Sequence, residues 1–323
     1  MASIRSMIPL FATLLALHAA PGLAQPYPSK PIRLVVGFTP GGGVDINARL
    51  LGPKLTELLG QPVVVENRPG AATNIATEHV AKSAPDGYTL LITTPAIAVN
   101  MALYRKVPFD ALRDFAPVSL FSESPNILVV HGAVPARDVS ELVALARGKP
   151  GVLNYSSAGS GTTQHMAGEL FKLRTGTNIV HVPFKGTAPS LTAVMGGEVD
   201  MTFANIPAIL QHVKSGRLRP LASTGGKRAE LMPEVPTMKE AGVEGVEVTV
   251  WYAVLAPAAT PREIVGTLAG AIMKAARSPD IRTRLLDQGA EPVGSTPEEF
   301  DRVLRAEVAK WQEVIGAAGI RAD

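Results

Sequence analysis

The run Ile32-Arg33-Leu34-Val35-Val36-Gly37-Phe38-Thr39-Pro40-Gly41-Gly42-Gly43-Val44-Asp45 constrains this chain more than any other. A β-branched stretch feeds a bend, three consecutive glycines follow, and an amphipathic segment begins directly after them. Glycines let backbone N–H groups approach a ligand closely, and a helix that starts there adds the positive end of its dipole. Such a turn either receives an anion or serves geometry alone. The residues around it narrow the choice of anion. There is no Gly-Lys-Ser/Thr ending, so a triphosphate would lack its lysine and its magnesium-binding hydroxyl. Ile46 stands where a dinucleotide fingerprint needs its third glycine. Asp45 at the helix entrance repels a polyphosphate and is able to cap the helix. A small carboxylate fits this turn better than a nucleotide. Phe38 and Thr39 flank it, Phe38 as pocket wall or as core.

Strand and helix patterns alternate along the rest of the chain, which predicts an α/β fold with a largely parallel sheet. Strands are expected at 32–36, 63–66, 88–93, 115–120 and 127–130, the last two separated by the break Ser122-Glu123-Ser124-Pro125. Helices are expected at 44–59, 73–83 and 139–147. The design of the first half then recurs: a strand at 152–156, the glycine loop Ala158-Gly159-Ser160-Gly161-Thr162, and a helix at 163–173. Strands at 179–182, 199–203 and 218–222 follow, with helices at 189–195 and 206–215. The extended stretch 246–256 would return the chain to the first unit, and helices are expected at 261–277, 281–288 and 296–317. One glycine loop in each half points to two lobes and a ligand held in the cleft between them. The lobes are expected at 25–124 plus 250–323 and at 125–249. Further cleft candidates are Thr94 and Ala96 at a strand end, Asn205 as a ligand contact or a helix cap, and Trp251 with Tyr252 as cleft or core aromatics.

Composition bears on where such a protein works. Arg5 precedes an apolar run from Ile8 to Leu17, and Gly22-Leu23-Ala24 offers small residues at both recognition positions. This is the layout of a secretory leader over 1–24 cut after Ala24, giving an exported, periplasmic product. The apolar run is about half of the roughly 20 residues that a membrane span needs, so direct membrane insertion is not expected. The absence of cysteine excludes disulfides, thiolate metal sites, a cysteine nucleophile and a lipidated cysteine at the cut. The 31 basic and 28 acidic residues are interspersed, without the basic stripe that a nucleic-acid surface needs. Enzyme motifs are equally missing. Ser160 lacks Gly-x-Ser-x-Gly spacing, His165 reads as a loop-supporting helix residue, and His79, His131, His181 and His212 have no mutual metal spacing. No cofactor, metal or catalytic residue is expected. The alternative is an exported α/β enzyme acting on a small carboxylic acid. An intracellular sensor would need a helix-turn-helix where the leader stands.

Several runs carry a family likeness: Tyr27 to Arg33, Gly37 to Asp45, Val65-Glu66-Asn67-Arg68-Pro69-Gly70-Ala71, Pro85-Asp86-Gly87-Tyr88-Thr89-Leu90, Ser156 to His165 and Val182-Pro183-Phe184-Lys185-Gly186. Gly196 to Asp200, Phe203-Ala204-Asn205, Pro233 to Thr237 and Ala256-Pro257-Ala258 continue it in collinear order. The chain resembles the solute-binding proteins of tripartite tricarboxylate transporters, the Bug-type periplasmic receptors. The resemblance implies a two-lobed periplasmic-binding-protein fold, type II-like, that closes on a small carboxylate and delivers it, as a monomer, to membrane subunits of such a transporter. It implies that Gly41, Gly42 and Gly43 face the ligand from one lobe and Gly159, Ser160, Gly161 and Thr162 from the other. Ala204 stands where many relatives carry an acidic residue, which counts against a ligand bearing an ammonium group.

Overall fold

The computed structural model describes residues 27–321, so the expected leader and its cut lie outside the described residues. The first lobe opens with β1 (Ile32–Val36), α1 (Gly43–Leu59), β2 (Val63–Asn67), α2 (Asn74–Ala81), β3 (Thr89–Thr93) and α3 (Ala96–Leu103). A 17-residue strand, β4 (Phe115–His131), leads into the second lobe. There follow α4 (Val139–Gly148), β5 (Asn154–Ser157), α5 (Thr163–Thr175), β6 (Val180–Pro183), α6 (Thr187–Met195), β7 (Met201–Asn205), α7 (Ile206–Lys214) and β8 (Leu218–Ser223). β9 (Thr249–Pro257) returns to the first lobe, which is completed by α8 (Arg262–Arg277), α9 (Pro279–Asp287), β10 (Glu291–Pro292) and α10 (Pro297–Ala318).

The strand order is β2-β1-β3-β9-β4-β7-β5-β6, with β8 and β10 also paired to β4. Each lobe has a parallel core, β1 with β2 and β3 in one and β5 with β6 and β7 in the other. The expected largely parallel sheet is corrected at its middle. β9 runs antiparallel to β3 and β4, and β7 and β8 run antiparallel to β4, because the two segments that cross between lobes run in opposite directions.

The two strands expected at 115–120 and 127–130 are one. β4 pairs with β9 from Phe115 to Pro125, then with β7 and β8 from Asn126 onward. Proline removes a ladder donor and is tolerated at a strand's margin. Pro125 sits at that margin, on the last residue paired to β9 before the ladder passes to the second lobe. Helix α3 was not foreseen either. Its residues Ala96 to Asn100 are buried, together with Leu103, so it is apolar on nearly every face and shows no amphipathic period.

α10 fastens the lobes together. It starts on a capping box, with the Glu299 N–H donating to Thr296 Oγ1 and the Thr296 N–H to Glu299 Oε2, a device that contributes about 1 kcal/mol. Its buried Phe300, Leu304 and Trp311 join a core that reaches from Val35 and Ile97 of the first lobe to Leu128, Phe171 and Phe203 of the second.

Candidate functional site

The first glycine loop is shaped by three residues of its own neighbourhood. At Gly37 a Cβ would lie 2.7 Å from the Thr73 Cβ, and Gly41 has φ +85°. Asp45, one turn into the helix, is buried and accepts the Gly41 N–H and the Arg49 Nε–H on Oδ2 (2.9 Å each) and the Asn67 amide on Oδ1 (2.9 Å). Burial opposes its ionisation, but those three donors outweigh it and hold the carboxyl below its usual range. Asn47 donates to the Gly43 carbonyl (2.8 Å) and is anchored in turn by the Ser122 hydroxyl of β4 (2.8 Å). The loop is thereby fixed while the N–H groups of Gly42 and Gly43 have no acceptor among the described residues. The Gly42 cap carries no side-chain bond, and all three glycines are exposed.

A cavity of about 710 Å³ lies against this loop, between the lobes. Thr39, the three glycines, Ile46, Asn47 and Tyr252 line it from the first lobe. Lys185, Thr187, Leu191, Met195, Asn205 and His212 line it from the second, with Ser124 of β4 at the crossing. Tyr252 is 5 % exposed, and its hydroxyl has no hydrogen-bond partner among the described residues. That oxygen sits 2.5 Å from where a Cβ on Gly43 would be, so only glycine leaves room for it. Burial pushes the phenol up to about 12, which keeps it a donor. Lys185 has no carboxylate partner among the described residues. Two free amides, a free phenol and a free ammonium in one apolar-walled cavity make up a set of donors suited to an anionic oxygen ligand.

The residues singled out from the sequence divide. Thr39, Gly41, Gly42, Gly43 and Asn205 line the cavity. Phe38 is half-buried against the core behind β1, and its carbonyl accepts the Asn67 amide at 3.1 Å. Thr94 and Ala96 are buried at the start of α3, where the Thr94 hydroxyl accepts the Ala96 N–H at 3.3 Å. Ala204 is fully buried in the core of the second lobe with Ile127 and Ile206, so its side chain does not face the cavity. Trp251 is 3 % exposed and packs edge-on against Phe300 (5.5 Å) under α10. Successive strand residues face opposite ways, which turns Tyr252 rather than Trp251 to the cleft.

The second glycine loop departs most from expectation. Gly159, Ser160, Gly161 and Thr162 are not among the residues lining the cavity; the loop meets the first lobe at α3, where a Cβ on Gly161 would lie 2.9 Å from Asn100 Oδ1 and 3.3 Å from Leu103. Four of its amides are already committed: Ala158 to Gln164 Oε1 (2.6 Å), Gly159 to Ser157 Oγ (3.1 Å), Gly161 to His165 Nδ1 (3.2 Å) and Thr162 to the Gly159 carbonyl (3.3 Å). The cavity wall on this side is the neighbouring turn from Lys185 to Thr187, tied to the glycine loop by Gly186 N–H donating to the Ala158 carbonyl (3.2 Å). Its signal in the sequence was a third strand–glycine–helix unit, β6–Gly186–α6.

Another cavity, of about 770 Å³, opens on the outer face of the first lobe between Lys30, Arg33, Glu78, His79, Lys82 and Asp86. Its charges pair with one another or with Glu66, as in Lys30–Asp86 (3.3 Å), Lys82–Glu78 (2.5 Å) and Arg33–Glu66 (3.9 Å), which leaves little to bind a ligand.

Against known proteins, the family described as tripartite tricarboxylate transporter family receptor matches residues 47–320. Protein BugT of Bordetella pertussis is 38% identical over 305 residues, which is 94% of this chain and 94% of that protein. Among solved structures, Rpa4515 of R. palustris with adipate aligns with a TM-score of 0.84 at 40% identity, covering 91% of this chain and 99% of the other. MatC (Rpa3494) of Rhodopseudomonas palustris, with bound malate, gives 0.81 at 32% identity over 90% and 100% of the two chains. The chain belongs to the tripartite tricarboxylate transporter receptors, a family of periplasmic solute-binding proteins.

Proposed function

We propose that this protein captures a small carboxylate with an apolar body in the cleft between its lobes and passes it to the membrane subunits of a tripartite transporter. One carboxylate is held by the Gly42 and Gly43 N–H groups and the Tyr252 hydroxyl; Ile46, Leu191 and Met195 flank the carbon skeleton, and Lys185 meets a second anionic group. The observation that carries the reading is the free donor set around Gly43: two loop amides without acceptors and a buried phenol without a partner, in one cavity. Charge-assisted bonds from such donors are worth about 1.5–3 kcal/mol each. The relatives solved with adipate and malate support the ligand class. In this reading the lobes are 25–124 plus 250–323 and 125–249, hinged where β4 passes from β9 to β7. The chain acts as a monomeric receptor rather than an enzyme, after export and removal of residues 1–24.

Calorimetry with succinate, malate, adipate, benzoate and glutamate tests the ligand class. Adipate should bind more tightly than malate, benzoate should lose the contact to Lys185, and glutamate should bind weakly, its ammonium facing Lys185. Binding of glutamate alone would overturn the reading that the ligand carries no ammonium group and that Lys185 meets an anionic one. Recovery of each ligand unchanged after prolonged incubation separates a receptor from an enzyme, and N-terminal sequencing of periplasmic protein should begin Gln25-Pro26-Tyr27.

A further inference from the structure

Behind the second glycine loop lies a buried polar cluster that the proposed ligand contacts do not use. The rings of His165 (α5) and His181 (β6) stack at 4.0 Å and 20°, and Tyr155 of β5 stacks on the other side of His181 at 4.9 Å. His165 Nδ1 accepts the Gly161 N–H (3.2 Å), and His181 Nε2 shares a hydrogen with the Ser157 hydroxyl (2.7 Å), which also bonds the Gly159 N–H. Both contacts hold backbone of the loop that faces α3 of the first lobe. Gly161 has φ +80° and lies directly against the Asn100 side chain, so a small change in the loop alters how the lobes meet.

We propose that His165 is a positioning residue for lobe closure: its neutral ring latches the Gly161 amide, and so fixes the surface that the second lobe presents to Asn100. This rests on the reading that the lobes close on a carboxylate. An acceptor at Nδ1 requires the proton on Nε2, and a protonated ring would replace the acceptor with a donor and break the bond to Gly161. Stacking forbids two charged rings at 4.0 Å. The titratable groups around the pair are Tyr155, whose hydroxyl donates to Glu169 (2.7 Å), Glu169 itself, and Lys172, bound to that carboxylate at 2.9 Å. Glu169 is therefore already matched by Lys172 and Tyr155, which limits its support for an imidazolium. Burial, then the neighbouring ring and Lys172, push His165 down to about 3; burial likewise pushes His181 down to about 4. At neutral pH both rings are therefore neutral, and the latch is shut.

The experiment combines ¹⁵N-imidazole NMR, hydrogen exchange at the Gly161 amide and calorimetry with adipate at pH 7. Wild type should show His165 as the Nε2–H tautomer and a protected Gly161 amide. His165→Ala should release that amide to exchange and weaken adipate about tenfold, the effect of one lost hydrogen bond. His165→Asn, whose Oδ1 falls where Nδ1 was, should restore both. An Nδ1–H tautomer in wild type, unchanged Gly161 exchange in His165→Ala, or equal losses of affinity in the Ala and Asn variants would overturn the latch. If His165→Ala does not fold, the wild-type tautomer and the Asn variant still decide. Should wild type bind none of the carboxylates, the functional reading falls, and Gly161 exchange alone decides the latch.

Discussion

The two glycine loops look alike in sequence and differ in chemistry. Each follows a strand, precedes a helix and carries glycine at positive φ, Gly41 in the first and Gly159 and Gly161 in the second. In the first, the side chain that shapes the turn is a carboxylate, Asp45, which ties up the Gly41 amide and leaves Gly42 and Gly43 free. In the second, Gln164, Ser157 and His165 take up the amides from within, and Thr162 caps α5 while its hydroxyl donates to the Gly159 carbonyl at 2.7 Å. In the proposed reading, one loop leaves donors for a ligand and the other keeps a surface rigid. Glycine content marks where a backbone can come close; the acceptors nearby decide what it meets there.

The largest effect that separates them is expected at Gly43. Gly43→Val puts a branched side chain where the Tyr252 hydroxyl sits, 2.5 Å from the Cβ position, and pushes that phenol out of the cavity. Loss of two charge-assisted bonds at about 1.5–3 kcal/mol each should weaken adipate on the order of 100-fold or more by calorimetry. Gly42→Ala is a milder control, since the nearest atom to its Cβ is 3.7 Å away. Wild-type affinity in a well-folded Gly43→Val protein would move the anion away from this loop and remove the contrast altogether. Tyr252→Phe comes next, with about a tenfold loss of affinity and little change in melting temperature, because the hydroxyl has no partner to lose among the described residues.

Much of this difference was hidden in the sequence for identifiable reasons. The loop with free amides was legible because its signal is backbone: a strand, three glycines, a helix start. The Trp251/Tyr252 choice was not, because a strand's phase relative to the core depends on a register with Glu123 and Ser122 more than 120 residues earlier. α3 escaped because a helix buried on most faces has no polar side. The committed Gly161 amide of the second loop depends on an imidazole four residues on, whose ring stacks on a histidine from β6. β4 read as two strands because Pro125 looks like a break until its position at the handover between partners is known.

Acid should strike the loops in order. Burial lowers the pKa of both histidines behind the second loop, so from about pH 6.5 downward the unfolded chain takes up protons that the folded chain refuses. Stability then falls as pH drops, and the slope ends only once the folded rings protonate near 4 and 3. Asp45 has the same sign in a lower window: its depressed carboxyl contributes stability above the unfolded value near 3.8 and loses it below. Urea unfolding at pH 7, 6 and 5 should show a decline that His165→Asn reduces. A flat profile would mean that the stacked rings are as easily protonated as free ones.

The smallest change is expected at Thr162, and it tests the idle half of the comparison. Its hydroxyl accepts the His165 N–H (3.4 Å) and donates to the Gly159 carbonyl (2.7 Å), both inside the loop. Thr162→Val keeps the shape and removes the cap, which should cost about 1 kcal/mol of stability. Adipate affinity should change less than about threefold, because no donor to the cavity is lost. The same substitution at Thr39, which does line the cavity, gives the matched measurement for the first loop. A loss at Thr162 as large as that of Tyr252→Phe would mean that its hydroxyl turns to the ligand when the lobes close, and that both loops grip it after all.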